Sequence, residues 1–458
     1  MNGELEETGR EGARPFDQRA NLKQGCDESS LRDAQVNIPK SDLLQGNFLV
    51  LLISRCLWQL SSAIPRPYLP LYVEALGGTA GDVGLVYSLA SIGGIFLYPL
   101  GGYIADLAGR VKLVGIMTFV FSVSFLPFIF ATDWIILAVG TFLQNMLLFY
   151  VPALYALEAD SIPRESRGTA LATMLAIPGA VGIIGPFIGG YLIEALGLVT
   201  ANKVCYAFGL AAGIVVAVMR TFYLKETVNG PMPISLRNIP TLLKESYVSF
   251  GKTLRWMPNT LRSLTLMQVS KVSLVYIAGP FWVLYTTQII GLTPYQWGQL
   301  ALISGATRFI TAVPAGRIID KYGRRRLLLY PLLFSPTLGI AFLVSTSFYQ
   351  VLIVFIALEA INAFLIPSFQ SLIFDHVPRE RRGRILAALG IGMFYIDIRG
   401  VAVGHGVLLF IPGMIAFAIG GKLYEINPVM PFLVLTAGLL LNAFMAHKFV
   451  REAEEAEV

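Results

Sequence analysis

The sequence predicts an all-α membrane protein of twelve transmembrane helices, arranged as two six-helix bundles related by an internal repeat. Three observations carry this prediction. Only 14% of the 458 residues are charged, against roughly 25% in soluble domains. Apolar runs of about 20 residues, enough to cross a bilayer as helix, recur along most of the chain. The two halves also repeat each other at a fixed offset. The sequence lacks the alternating ten-residue strands that build barrels, so each span is read as a helix that satisfies its own backbone in lipid.

Residues 1–44 are polar, mixed in charge and without an apolar core. They read as a disordered cytoplasmic tail and not as a cleaved signal peptide. Spans 1 to 6 fall at about 47–72, 80–105, 110–131, 134–157, 168–195 and 202–223, in an N-terminal bundle of 45–223. A basic linker at 224–261 carries Lys225, Arg237, Lys244, Lys252 and Arg255, with Pro231, Pro233, Pro240 and Pro258. Spans 7 to 12 fall at about 262–290, 295–318, 325–345, 348–373, 384–424 and 428–448, in a C-terminal bundle of 262–448. A short acidic cytoplasmic tail closes the chain at 449–458.

The net charge of +6 lies in short loops and gives no sign of nucleic-acid binding. Arg110, Lys112, Arg164, Arg167, Lys321, Arg324, Arg325, Arg326, Arg379, Arg381, Arg382 and Arg384 fall on one side, together with the linker. The opposite loops carry Glu74, Asp82, Asp133, Glu194 and Glu425, with Lys203 and Lys422 against them. This bias places the basic loops and both termini in the cytoplasm of a multi-pass cell-membrane protein. Cys26, Cys56 and Cys205 and the scattered His376, His405 and His447 have no metal or disulfide spacing, so no metal, disulfide or cofactor is expected.

The repeat is the most specific signal. Gly102-Tyr-Ile-Ala-Asp106-Leu-Ala-Gly109-Arg110 matches Gly316-Arg-Ile-Ile-Asp320-Lys-Tyr-Gly323-Arg324, 214 positions on. Asp160-Ser-Ile-Pro163-Arg164-Glu165 matches Asp375-His-Val-Pro378-Arg379-Glu380, 215 on. Gly77, Gly84 and Pro152 match Gly291, Gly298 and Pro367. Two parallel six-span halves follow. Asp106 and Arg110 stand four apart, as do Asp320 and Arg324, so each pair meets across a turn where helical geometry persists.

These doubled loops resemble the signature of the major facilitator superfamily, and the resemblance covers about residues 45–448. It implies that fold and a secondary transporter. It implies too that Asp106 and Asp320 sit at the positive end of a helix in the opposite bundle. Arg110 and Arg324 would then reach Asp160 and Asp375, a gate that breaks as the protein opens inward. The other reading is that these residues only fix loops and topology. In span 5, Gly185-Pro186-Phe-Ile-Gly189-Gly190 is similar to the end of a motif of proton-linked antiporters, while Ala172, Val181 and a span 4 without Arg depart from that pattern. Close packing of span 5 on a neighbour also accounts for those glycines.

Charges at membrane depth need a partner or a wet cavity. Arg55, Gln59, Ser62 and Arg66 share one face of span 1, and Ser304, Arg308 and Thr311 one face of span 8. Span 7 carries Thr265, Gln268 and Lys271, span 10 Glu359 and Asn362, and span 4 Gln144 and Asn145. Spans 1, 4, 7 and 10 line the cavity in the family. Arg55, Gln59, Gln144, Asn145, Gln268, Lys271, Arg308 and Asn362 are therefore the candidate substrate residues. Glu359 is the candidate proton carrier. Four cations (Arg55, Arg66, Lys271 and Arg308) stand against this one deep acid, which suits an anionic or zwitterionic group. Alternatively Arg308 or Lys271 pairs with Glu359 structurally, and Arg55 and Arg66 snorkel to the interfaces.

Span 11 departs from the repeat by an insertion that includes Asp397, Arg399, Gly400, Gly404, His405 and Gly406. The overall expectation is a monomeric, non-enzymatic secondary transporter of a small organic solute, proton-coupled, with efflux ahead of uptake. Uptake of an organic anion or metabolite, and a transporter-like sensor or scaffold, are the alternatives. A nucleotide-driven pump is excluded, because the chain has no phosphate-binding loop.

Overall fold

Among the described residues, ten helices are long and apolar enough to cross a membrane. The computed structural model describes residues 46–107, 109–162, 166–227, 257, 259–377 and 407–450, with backbone alone at 96–107, 259, 260 and 407. The first half holds α1 (Gly46–Ala75), α2 (Ala80–Leu107), α3 (Arg110–Ile129), α4 (Trp134–Asp160), α5 (Arg167–Leu196) and α6 (Leu198–Phe222). The second holds α7 (Leu261–Gln288), α8 (Pro294–Tyr322), α9 (Arg324–Leu343), α10 (Phe348–His376), α11 (Leu408–Ile426) and α12 (Met430–Phe449). α2 and α8 stand outside the ten, at the positions expected for spans 2 and 8. α8 carries Arg308, Arg317, Asp320 and Lys321, yet runs unbroken for 29 residues.

Proline and glycine set the helix breaks. α1 passes through a 3-10 turn at Arg66–Tyr68 behind Pro65, and α4 through one at Leu148–Tyr150 ahead of Pro152. A proline donates no backbone bond and crowds the preceding turn, which loosens the helix there. α10 nevertheless continues through Pro367, the repeat partner of Pro152. Thr293 and Gln296 form a capping box at the start of α8, and Asp133 caps α4 through the amides of Ile135 and Ile136.

Each half has an aromatic core. Trp58 lies 4.9 Å from Phe121, edge to face, and Phe128 stacks on Tyr206 at 4.6 Å. In the second half Trp282, Tyr285, Phe342, Phe355 and Phe432 pack together, with Trp282 and Phe342 only 4.3 Å apart.

The halves meet along two seams, α2 with α11 and α5 with α8. Glycines related by the repeat make both seams tight. A Cβ on Gly84 would lie 2.5 Å from the Phe417 carbonyl oxygen, and one on Gly298 2.6 Å from that of Pro186. The α5 glycines pack in two directions. A Cβ on Gly185 would crowd Ala63, one on Gly189 the Ile64 carbonyl, and one on Gly190 the Pro294 carbonyl across the seam.

The signature loops correct one expectation. Gly109 and Gly323 have φ of 85° and 89°, ending α2 and α8 before Arg110 and Arg324 begin the next helices. Helical geometry does not persist across the motif, so the Asp-to-Arg contact across one turn is not formed by an unbroken helix. The 1–44 tail, the linker between Val228 and Trp256, the inserted residues of span 11 and the end of the chain beyond Val450 lie outside the described residues. So do Pro163, Arg164, Pro378 and Arg379.

Candidate functional site

Helix α8 carries Arg308 near its midpoint, where it faces Glu359 on α10. The Arg308 Nε donates to Glu359 Oε2 at 2.6 Å and an Nη to Oε1 at 2.9 Å, a two-bond grip on a fully buried carboxylate. The structural pairing of Arg308 with Glu359 is therefore formed. Both groups belong to the second half.

The first half has its own buried acid, which corrects the count of one. Glu158 is 4% exposed near the end of α4 and accepts from Arg55 Nη1 at 3.0 Å. Arg55 also lies over the Tyr155 ring, 5.4 Å from its centre. Arg220 on α6 is 2% exposed and donates to the hydroxyls of Ser54 at 3.3 Å and Thr118 at 3.1 Å. Neither Glu158 nor Arg220 was singled out from sequence. The available signal was that Arg55, in the membrane, required a partner.

The remaining candidates are distributed over several places. Gln59 lies against Gly182 of α5, where an added Cβ would meet its Cγ at 2.7 Å. Asn145 donates to the Thr141 carbonyl at 3.0 Å, and the neighbouring Gln144 has a buried Nε2 without a hydrogen-bond partner among the described residues. Gln268 and Asn362 are half-buried on α7 and α10. Lys271 lies over the Phe369 ring at 5.8 Å, in a pocket lined only by second-half helices.

One end of the molecule is bonded shut across the halves. Tyr68 donates to the Pro186 carbonyl at 2.5 Å and lies 3.1 Å from that of Pro294. Gln288 donates to Glu74 at 2.6 Å, and Ser88 to the Met414 carbonyl at 2.8 Å. Glu425 accepts from the Thr79 hydroxyl at 2.6 Å, the Gly81 amide at 2.9 Å and Lys422 at 2.8 Å. This places a carboxylate of one half on the positive end of α2 in the other.

At the opposite end the signature arginines pair within their own halves, Arg110 with Asp160 and Arg324 with Asp375. Glu226 caps α3 through the amides of Arg110 at 3.1 Å and Val111 at 3.0 Å. Gly102 and Asp106 lie on the last two turns of α2; Gly316 is half-buried and Asp320 exposed near the end of α8.

The family model of the Major Facilitator Superfamily matches this chain twice, at residues 51–269 and 264–457. The chain belongs to the Major Facilitator Superfamily. Its relatives are transporters and not enzymes, and the double match falls on the two halves of the repeat. This superfamily member is 27% identical over 413 residues to the multidrug resistance protein MdtG of Dickeya zeae, covering 86% of this chain and 92% of that one. It is 26% identical over 339 residues to a multi-drug resistance efflux pump PmrA homolog of Lactococcus lactis, covering 71% and 79%. Two solved superfamily transporters share the fold. A bacterial homolog of the human lysosomal transporter Spinster superimposes with a TM-score of 0.65 at 14% identity, covering 89% of this chain and 98% of that one. A D-xylose-proton symporter does so with 0.63 at 15%, over the same shares.

Proposed function

We propose that this transporter exports a small organic solute by alternating access, coupled to protons through Glu359. The observation that carries the reading is the asymmetry of the two ends. Among the described residues, bonds between the halves gather at the end of Glu74, Thr79 and Glu425, and at the other end Arg110 and Arg324 each have an acidic partner in their own half. The positive-inside bias assigns the arginine-bearing end to the cytoplasm, so this state is closed outward. Two halves that rock about the α2–α11 and α5–α8 seams would exchange which end is bonded. Export is favoured over uptake because relatives covering most of the chain are named as multidrug efflux proteins.

The coupling step follows from the ion pair. A proton added to Glu359 cancels the charge that holds Arg308, freeing that guanidinium to meet solute, and loss of the proton restores the grip. In liposomes with an imposed pH gradient, the wild type is expected to accumulate a fluorescent drug. The Glu359→Gln variant should exchange it without accumulation. A variant whose pH dependence matches the wild type refutes coupling through Glu359. One observation favours a second reading, uptake of an organic anion: Lys271 has no carboxylate partner among the described residues. A wild type that moves nothing from a panel of drugs, organic acids, sugars and amino acids would point to a sensor.

A further inference from the structure

The two seams share the close packing of Gly84 and Gly298 but finish differently at the end opposite the signature arginines. There the repeat sets Thr79, Gly81 and Asp82 of the α2 start against Thr293, Tyr295 and Gln296 of the α8 start, 214 positions on. It also sets Glu194, near the end of α5, against Glu425 near the end of α11. Glu425 is seated on α2. Its Oε1 accepts from the Thr79 hydroxyl at 2.6 Å and the Gly81 amide at 2.9 Å, and its Oε2 from Lys422 at 2.8 Å. Gly81 makes the room, since a Cβ there would collide with Oε1. At the other seam Tyr295 stands in the place of Gly81, its ring 5.3 Å from that of Phe187 and 6.4 Å from that of Tyr191. Pro294 brings no amide to that turn. Glu194 is exposed, and its carboxylate has no hydrogen bond or ion pair among the described residues.

The Glu425 side chain is 29% exposed, so solvent protons reach it. Protonation cancels the charge attracted by the α2 terminus and Lys422, and a neutral acid holds the same donors about half as strongly. Stacked rings have no such charge to lose. We propose that Glu425 is a proton-operated latch on the α2–α11 seam, and that the ring-closed α5–α8 seam is a hinge indifferent to protons. The ionisable neighbours are Lys422 on α11, Asp82 on α2 and Glu74 on α1. The neutral Gln288 of α7 donates to Glu74 and accepts from Tyr424 at 3.2 Å, and the start of α12 carries no ionisable group. Asp82 competes most directly, since its Oδ2 lies 3.1 Å from the same Thr79 hydroxyl and accepts the Thr79 amide at 2.8 Å. The latch deepens the export reading, on which its orientation rests: acid outside releases the end through which solute leaves.

Spin-label pairs at the exposed positions Leu85 with Ile426 and Leu196 with Ile303 report the two seams separately. Pulsed electron resonance is applied to the full chain in detergent, with Cys26, Cys56 and Cys205 replaced by alanine. Glu425→Gln is expected to raise the long-distance population of the first pair roughly fivefold at every pH, and to move the second pair far less. The latch holds above the carboxylate range and is lost as the pH falls through it. Acidifying the wild type from about pH 7.5 to about pH 4 should therefore shift the first pair towards the Glu425→Gln value. Glu194→Gln should behave as the wild type does. No opening in Glu425→Gln, equal opening of both pairs, or a pH response kept in Glu425→Gln and lost in Asp82→Asn overturns the proposal. In detergent both ends meet one pH, so these distances test the latch even where the liposome assay finds no export.

Discussion

In the first half Arg55 on α1 reaches Glu158, near the end of α4, through one bond of 3.0 Å. In the second half Arg308 on α8 grips Glu359, midway along α10, through two bonds of 2.6 and 2.9 Å. The repeat relates neither pair to the other. The position 215 before Glu359 is Gln144, and the position 214 before Arg308 is Gly94. The positions 215 after Arg55 and Glu158 are Ser270 and Ile373. Seams and loops are thus duplicated, since Gly84 and Gly298 do the same packing work, while the buried ion pairs of the two halves stand at unrelated positions. The glycines that hold the seams follow the symmetry, and the buried ion pairs do not.

The largest effect should come from breaking the second-half pair. Glu359→Ala removes a fully buried carboxylate that accepts two bonds from the Arg308 guanidinium. A loss of about 3–5 kcal/mol in unfolding free energy is expected. Replacing both groups by apolar ones of similar volume, Arg308→Met with Glu359→Leu, should recover most of it. Denaturation midpoints of the single and double variants check this. A double variant no more stable than the single one would show that the pair is not the relevant unit.

Glu158→Ala should cost less, about 1.5–3 kcal/mol, as for one charged hydrogen bond. Only one of its oxygens is bonded to Arg55, the other having no partner among the described residues, and Arg55 keeps the Tyr155 ring. Equal losses for Glu158→Ala and Glu359→Ala would erase the distinction between one bond and two.

Most of the architecture was readable because it is written in repeated local rules. Gly109 and Gly323 both take the left-handed conformation, and Gly84 and Gly298 both meet a carbonyl across a seam. The charge network was harder to read because it depends on reach between helices distant in sequence. Glu158 falls one residue beyond the predicted end of span 4. In fact α4 runs to Asp160, and Arg55 extends down to Glu158 from 103 residues away. Arg220 falls three residues before the predicted end of span 6, and it is buried on Ser54 and Thr118. The Arg308–Glu359 pair was readable only as one of two alternatives, because helical faces alone do not say which of two cations turns toward an acid.

The smallest stability effects are expected where the symmetry is most faithful. Arg110 with Asp160 and Arg324 with Asp375 lie near water, the side chains of Asp160 and Arg324 being 45% and 37% exposed. Solvent and salt screen such pairs, which leaves about 0–1 kcal/mol each. Glu226 supports the first loop independently by capping α3. Arg110→Ala and Arg324→Ala should therefore barely move the denaturation midpoint. If the pairs set the balance between states, both variants will still slow solute transport several-fold, since shifting a conformational equilibrium tenfold takes only about 1.4 kcal/mol. A transport rate unchanged in both would reduce these arginines to loop anchors.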